Sequence, residues 1–323
     1  MSEPARTEKR LYIQEVGPRD GFQIEARFIP TAEKIALIDA LSLCGLAKIE
    51  VTSFTSPKAI PALADADEVM RGIRRQPGVV YTALVPNLRG AERAIAAGTD
   101  ELNLVMSASE THNLLNLRMT REQSVGRLLE VVELAKGSGL ALNVSLSTSF
   151  GCPMEGEVPK HVVLGFTERF LTGGVAGVTL CDTTGMAHPG QVGALCRAFR
   201  TRFPAAGLTL HLHNTRGMGL ANALAGVGAG VNRFDASLGG LGGCPYAPGA
   251  TGNICTEDLV HMLQAMGLPV EVGLLCLLAA ARALPGLLGH DVPGQVLHAG
   301  CRLDLHPVPA SLAEIRARVL AQA

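Results

Sequence analysis

Short runs of apolar, often β-branched residues recur through the first three quarters of the chain, and each gives way to a stretch with a helical apolar spacing. The runs predict eight strands: Tyr12 to Val16, Lys48 to Thr52, Val79 to Leu84, Glu101 to Val105, Ala141 to Ser147, Gly177 to Cys181, Thr209 to His213 and Arg233 to Ser237. Between them, Val125, Leu128, Leu129, Val132 and Ala135 mark one buried helix face, and Ile35, Ile38 and Leu41 mark a shorter one. Strands that alternate with helices pair in parallel through right-handed crossovers. Eight such units therefore predict an α/β fold, a closed (β/α)8 TIM barrel. The rival is an open doubly wound sheet, but the first strand runs into EVGPRDG, which lacks the GxGxxG spacing of a phosphate turn. After Gly267 the rhythm stops. Residues 1–10 read as a tail, 11–270 as the barrel and 271–323 as a helical extension packed on it, with helices over Val270 to Leu284 and Ser311 to Ala323.

The 323 residues are 47% apolar and carry 28 basic against 29 acidic side chains, a formal net charge of −1. No surplus of Lys and Arg is left for a nucleic-acid or anionic-membrane partner. Mean hydropathy is +0.26, yet Gly, Arg or Asp breaks every apolar run before the ~20 residues that a bilayer demands. The cysteines, at 44, 152, 181, 196, 244, 255, 276 and 301, show no CxxC or zinc-finger spacing. MSEPARTEKR has no apolar presequence core, so the expectation is a cytoplasmic protein with free thiols.

In a parallel barrel, functional groups gather at the carboxyl ends of the strands. Strand one stops in Glu15-Val16-Gly17-Pro18-Arg19-Asp20-Gly21, strand two carries Glu50, strand six runs into Asp182, and strand seven ends in His211-Leu212-His213-Asn214. His211 and His213 stand two apart, so both imidazoles face one side. With Asp20 and the amide oxygen of Asn253 they form a set of two nitrogens and two oxygens. Such a set suits six-coordinate Mg2+ or Mn2+ with positions open for substrate. The alternative is a pair of core histidines bonded to neighbours. Gly239 to Asn253 holds six glycines and two prolines in fifteen residues, so it predicts a loop that approaches a ligand closely. Its Cys244 is the candidate acid/base, whereas Cys44, Cys196, Cys255 and Cys276 lie in apolar segments and read as buried thiols. Arg19, freed by the Gly17-Pro18 break, is the candidate oxyanion binder, or else a surface ion-pair partner. Glu50 and Asp182 are assigned to orient a water or a histidine Nδ1–H. His112 and Asn113 read as solvated loop residues, and His161, His188, His261, His290, His298 and His306 as surface groups.

EVGPRDG at 15–21, IEVTSF at 49–54, CDTTG at 181–185, HLHNT at 211–215 and GLGGCPYAPGATGN at 240–253 together resemble the 3-hydroxy-3-methylglutaryl-CoA (HMG-CoA) lyase family. The RDG and HxH pieces are shared with isopropylmalate and homocitrate synthases and some biotin-dependent carboxyltransferases. The cysteine loop narrows the resemblance to the lyases. It implies that Asp20, His211, His213 and Asn253 hold Mg2+ or Mn2+, that Arg19 binds a thioester carbonyl, and that Cys244 transfers a proton. It further implies an acyl-CoA thioester substrate and cleavage of HMG-CoA to acetyl-CoA and acetoacetate. The apolar extra helices after the barrel predict a homodimer. Lyases of citramalyl-CoA or 3-hydroxy-3-isohexenylglutaryl-CoA would use the same groups. A condensing synthase and a silent paralogue are the more distant alternatives. Asn214 departs from the Asp that lyases carry after the second His.

Overall fold

The computed structural model describes residues 9–243 and 252–322. Eight strands, β1 (Tyr12–Glu15), β2 (Lys48–Ser53), β3 (Val80–Val85), β4 (Glu101–Ser107), β5 (Ala141–Ser147), β6 (Gly177–Asp182), β7 (Gly207–Leu212) and β8 (Arg233–Ala236), form one closed parallel barrel. Closure comes from β1 pairing with β8, with Tyr12 opposite Arg233 and Glu15 opposite Ala236. The predicted strands thus hold, with ends shifted by a residue or two.

The helices that cross between strands are α1 (Thr31–Ser42), α2 (Ala66–Gly72), α3 (Leu88–Ala96), α4 (Glu110–Leu117), α5 (Arg121–Ala135), α6 (Lys160–Gly173), α7 (Pro189–Arg202) and α8 (Gly219–Gly228), and α9 (Thr256–Ala265) follows the last strand. Helix α5 starts where the chain spells Thr120-Arg-Glu-Gln123. There the Thr120 hydroxyl accepts from the Gln123 N–H and the Gln123 side chain accepts from the Thr120 N–H, a reciprocal cap for two orphan donors. The apolar core lies between the strands and this helical ring. Leu142, Val144 and Leu146 of β5 point outward into it, while the alternate residues Asn143, Ser145 and Ser147 point inward.

The barrel axis is therefore polar, and its groups satisfy one another. Asn143 Nδ2 donates to Asn103 Oδ1 and to Thr179 Oγ1, both at 2.9 Å, and Ser145 donates to the same Asn103 oxygen. Asn103 Nδ2 in turn donates to Glu50 at 2.7 Å. A buried polar group left unpaired costs more than a paired one gains, so this chain fixes the inward rotamers up to the barrel mouth.

Four helices follow α9: α10 (Leu274–Ala281), α11 (Leu284–Leu288), α12 (Gln295–Ala299) and α13 (Leu312–Leu320). The first packs on α1 and α9, and α12 on α9. Helix α13 does not match the expected packing, because none of its residues is buried and Leu312, Ile315 and Val319 stay exposed. The apolar spacing was enough for a helix but found no facing surface. The expectation of free thiols also needs correction: Cys44, just after α1, is disulfide-bonded to Cys276 of α10. Their sequence separation of 232 hides a contact that only the docking of α10 on α1 creates. Among the described residues, no helix is long and apolar enough to cross a membrane.

Lys34 of α1 is buried against the loop after β2, where its ammonium donates to Asp65 at 2.6 Å and to the Ala62 carbonyl at 2.7 Å. Thr31 donates to the other Asp65 oxygen. Asp65→Ala strands a buried cation, and we expect it to lower unfolding free energy by about 3–5 kcal/mol in a denaturant titration. A loss below about 1 kcal/mol would show that the pair contributes like a surface bridge.

Candidate active site

Strand β1 ends early because Pro18 has no N–H to continue the ladder. Residues Gly17–Gly21 wind into one helical turn instead, with the Arg19 and Asp20 N–H groups both donating to the Val16 carbonyl. Both side chains are thereby brought to the barrel mouth, and both are buried. Arg19 Nε donates to Glu50 Oε2 at 2.6 Å, and Nη1 donates to Asp20 Oδ1 at 2.5 Å. Burial works against the guanidinium charge, but Asp20, Glu50 and Asp235 outweigh it and hold Arg19 protonated. Burial likewise opposes ionisation of Asp20, while Arg19 and the two histidines pull its carboxyl down to about 2.

Across the mouth, His211 and His213 point their Nε2 atoms at each other, 3.2 Å apart. Asp20 Oδ2 lies 3.9 Å from His211 Nε2, and one ligand atom each from Asp20, His211 and His213 falls within 4.8 Å of the others. Burial, then His211, pushes His213 down to about 3, which keeps that imidazole neutral with a lone pair to give. For His211, burial is outweighed by Asp235 and Asp20, and its pKa rises. One proton shared by the two facing nitrogens is what a cation would displace.

Asn253 is laid beside His213 by a backbone bridge, and the Ile254 N–H donates to the Leu212 carbonyl at the end of β7. Its Nδ2 donates to Asp20 Oδ2 at 2.7 Å and to the Leu241 carbonyl at 3.0 Å. Its Oδ1 is buried and has no hydrogen-bond partner among the described residues. An orphaned amide oxygen beside two facing imidazoles and a carboxylate is a donor set that fits a divalent cation. The neighbouring glycines make the approach possible. Gly242 and Gly252 have φ of +108° and +89°, and a Cβ on Gly242 would sit 2.5 Å from Asn253 Nδ2. Cys244 lies outside the described residues.

A cavity of about 560 Å³ opens over this group, lined by Arg19, Asp20, His211 and His213 at one end and by Leu115 and Arg118 of the α4 terminus at the other. Neither of the two carboxylates assigned to orient a water or a histidine bonds a histidine among the described residues. Glu50 holds Arg19 and Asn103. Asp182 Oδ1 accepts from the N–H groups of Met186 and Ala187, and its Oδ2 is buried without a partner among the described residues. The acceptor for a histidine is Asp235, whose Oδ2 lies 3.3 Å from His211 Nδ1. The readable signal was register: Asp235 sits mid-strand, directly opposite His211 in the β7–β8 pair. His112 and Asn113 are not solvated either. Both are buried at the start of α4, with His112 Nδ1 2.6 Å from the Ser107 hydroxyl, and His112 lines the cavity. Ser109 caps α4 there and turns the loop inward.

A family model described as HMGL-like matches residues 10–284. The chain belongs to the HMGL-like family. Hydroxymethylglutaryl-CoA lyase of Bacillus subtilis is 46% identical over 289 residues, 90% of this chain and 97% of the relative. The human mitochondrial hydroxymethylglutaryl-CoA lyase is 41% identical over 91% of each chain. Among solved structures, an HMG-CoA lyase of A. baumannii in complex with coenzyme A and 3-methylmalate aligns at TM-score 0.90 and 51% identity, covering 93% of this chain and 98% of that one. The carboxyl transferase domain of Rhizobium etli pyruvate carboxylase shares the fold alone, at 16% identity and TM-score 0.64 over 98% of this chain and 54% of that one.

Asn214, the departure from the lyase motif, is exposed, and its Oδ1 accepts from the Gly219 N–H at the start of α8, 3.0 Å away.

One buried acid below the site gives a pH signature. Burial pushes Glu15 up to about 8, a shift that its hydrogen bonds to Thr256, Leu238 and Gly17 only partly offset and that the neighbouring Glu257 reinforces. The unfolded chain loses this proton near pH 4.5 and the folded chain near pH 8. Between those values the folded state binds more protons, so the Glu15 contribution to stability falls as pH rises. We expect Glu15→Gln to flatten the dependence of the unfolding midpoint on pH between about 5 and 8. Parallel curves for the two proteins would mean that the acid is already ionised in the fold.

Proposed function

We propose that this chain cleaves HMG-CoA between C2 and C3, releasing acetyl-CoA and acetoacetate, with a Mg2+ or Mn2+ ion held by Asp20, His211, His213 and Asn253. One observation carries the reading: ligand atoms of Asp20, His211 and His213 converge within 4.8 Å beside the unpartnered Asn253 Oδ1, on the wall of a cavity that also exposes Arg19. Relatives named as hydroxymethylglutaryl-CoA lyases over nine tenths of the chain support the substrate, and the coenzyme A complex of the A. baumannii lyase supports the thioester. They do not favour a condensing synthase.

When bound, the ion polarises the substrate oxygens it touches and makes the tertiary hydroxyl more acidic. The protein groups supply the rest. As a base at the site takes the hydroxyl proton, which later restores the Cys244 thiol, the C3–O bond becomes a carbonyl, the C2–C3 bond breaks, and its electron pair passes to the thioester as an enolate. Arg19 neutralises that enolate oxygen, a preorganised contact of a kind typically worth about 3 kcal/mol. Glu50 and Asp20 keep the guanidinium aimed, so it pays little reorganisation when charge develops. The Cys244 thiol delivers the proton to C2 and completes acetyl-CoA. Asp235 holds the His211 ring through Nδ1 and leaves Nε2 free for the ion. A homodimer belongs to the same proposal, and the exposed Leu43 and Leu275 offer it apolar surface.

The direct test is a product assay on purified protein with Mg2+ or Mn2+ and a panel of 3-hydroxyacyl-CoA thioesters. Free acetyl-CoA should appear fastest from HMG-CoA. A preference for citramalyl-CoA or an isoprenoid-extended thioester would transfer the chemistry to that substrate, and no acetyl-CoA from any would reject it. Cys244→Ser should keep metal and substrate affinity while turnover drops by about two to four orders of magnitude.

A further inference from the structure

Glu15 closes β1 and is completely enclosed. Its Oε1 accepts from the Gly17 N–H at 2.7 Å and from the Leu238 N–H at 2.8 Å, and its Oε2 accepts from the Thr256 hydroxyl at 2.7 Å. These three partners belong to three separate pieces of chain. Gly17 opens the turn that bears Arg19 and Asp20. Leu238 opens the glycine-rich stretch that leads toward Cys244. Thr256 follows Asn253 on the strand of chain that returns from it.

The Asn253 amide joins the same three pieces at the mouth, through Asp20 Oδ2 and the Leu241 carbonyl. Below it, the Ser237 and Ile254 backbones tie the outgoing and returning stems to each other, and Glu257 accepts from the Gly239 N–H. The Glu15 carboxyl links both stems to the base of the turn, and the turn is seated directly on it: a Cβ at Gly17 would fall 2.7 Å from Glu15 Oε1. Glu15 does not line the cavity above the cation-binding group.

We propose that Glu15 is a positioning residue that ties the Arg19–Asp20 turn to both stems of the glycine-rich segment, and so sets the spacing of Asp20 and Asn253. The inference rests on the site roles proposed above. It explains why a buried acid is kept where an apolar residue would pack without desolvation cost: two backbone N–H groups converge on one oxygen and a hydroxyl meets the other arm, so a forked polar side chain with an acceptor at the Oε1 position satisfies all three.

The test compares Glu15→Gln, Glu15→Ala and Thr256→Val with the parent, measuring Mn2+ affinity from the free-ion EPR signal, kcat and KM for HMG-CoA, and thermal midpoint. Gln keeps an oxygen at the Oε1 position for both backbone donors and offers an N–H to the Thr256 hydroxyl, so parent-like Mn2+ affinity and kcat are expected. Ala leaves both donors unpaired and should cost about 10- to 100-fold in Mn2+ affinity, with a fall in kcat larger than any change in KM. Thr256→Val cuts one of the three ties and should shift the same quantities in the same direction by less, which keeps the test decisive if Glu15→Ala does not fold. A lowered thermal midpoint with parent-like kcat and Mn2+ affinity in the folded Ala or Val variant would overturn the positioning role, as would a Gln variant as impaired as Ala. His213→Ala separates the two proposals. If the parent gives no Mn2+ binding, or His213→Ala titrates like the parent, the function reading fails and takes this inference with it.

Discussion

A guanidinium buried between two carboxylates is the constraint on which the mouth of this barrel depends. Arg19 is buried on both carboxylates, and removing either Glu50 or Asp20 would leave its charge with half of that compensation. Glu50 is in turn fixed by Asn103, and Asn103 by Asn143 and Ser145 deeper in the barrel. Orientation at the mouth is thus inherited from the floor. In this chain each inward side chain bonds the next, and at the mouth the Asn253 Oδ1 is left without a partner among the described residues.

The histidine pair illustrates the same economy. Two imidazole nitrogens that face each other at 3.2 Å are stable only with a proton or a cation between them. Asp235 fixes the far side of one ring, so the near side has a single orientation to present. An ion held there would find the His211 nitrogen already aimed and would take the place of a proton.

Much of this was legible in the sequence, and the parts that were not share a cause. The strands announced themselves because every outward residue packs on a helix, and the HxH spacing announced a shared face because alternation in a strand is rigid. Arg19 and Asp20 were readable from the Gly-Pro break before them. Glu15 and the Cys44–Cys276 bond were not, since each gains its meaning from a partner more than two hundred residues away that only closure of the barrel or docking of α10 supplies, and Asp235 needed the β7–β8 register that sets it opposite His211. His112 and Asn113 were misread for a subtler reason: a polar segment after a strand normally faces water, and here Ser109 folded it back over the cavity. The apolar stripe of α13 misled in the opposite direction, because amphipathic spacing describes a helix and not the surface it meets.

That last helix has an evolutionary corollary. From Arg302 to Gln322 every residue is exposed, and the family match itself stops at residue 284. Mutations there leave the interior of the barrel undisturbed, so selection on folding leaves the segment free to drift in length and composition. It is also the natural place to fuse a tag or tether the enzyme to a solid support, since a linker attached there pulls on nothing that the catalytic end requires.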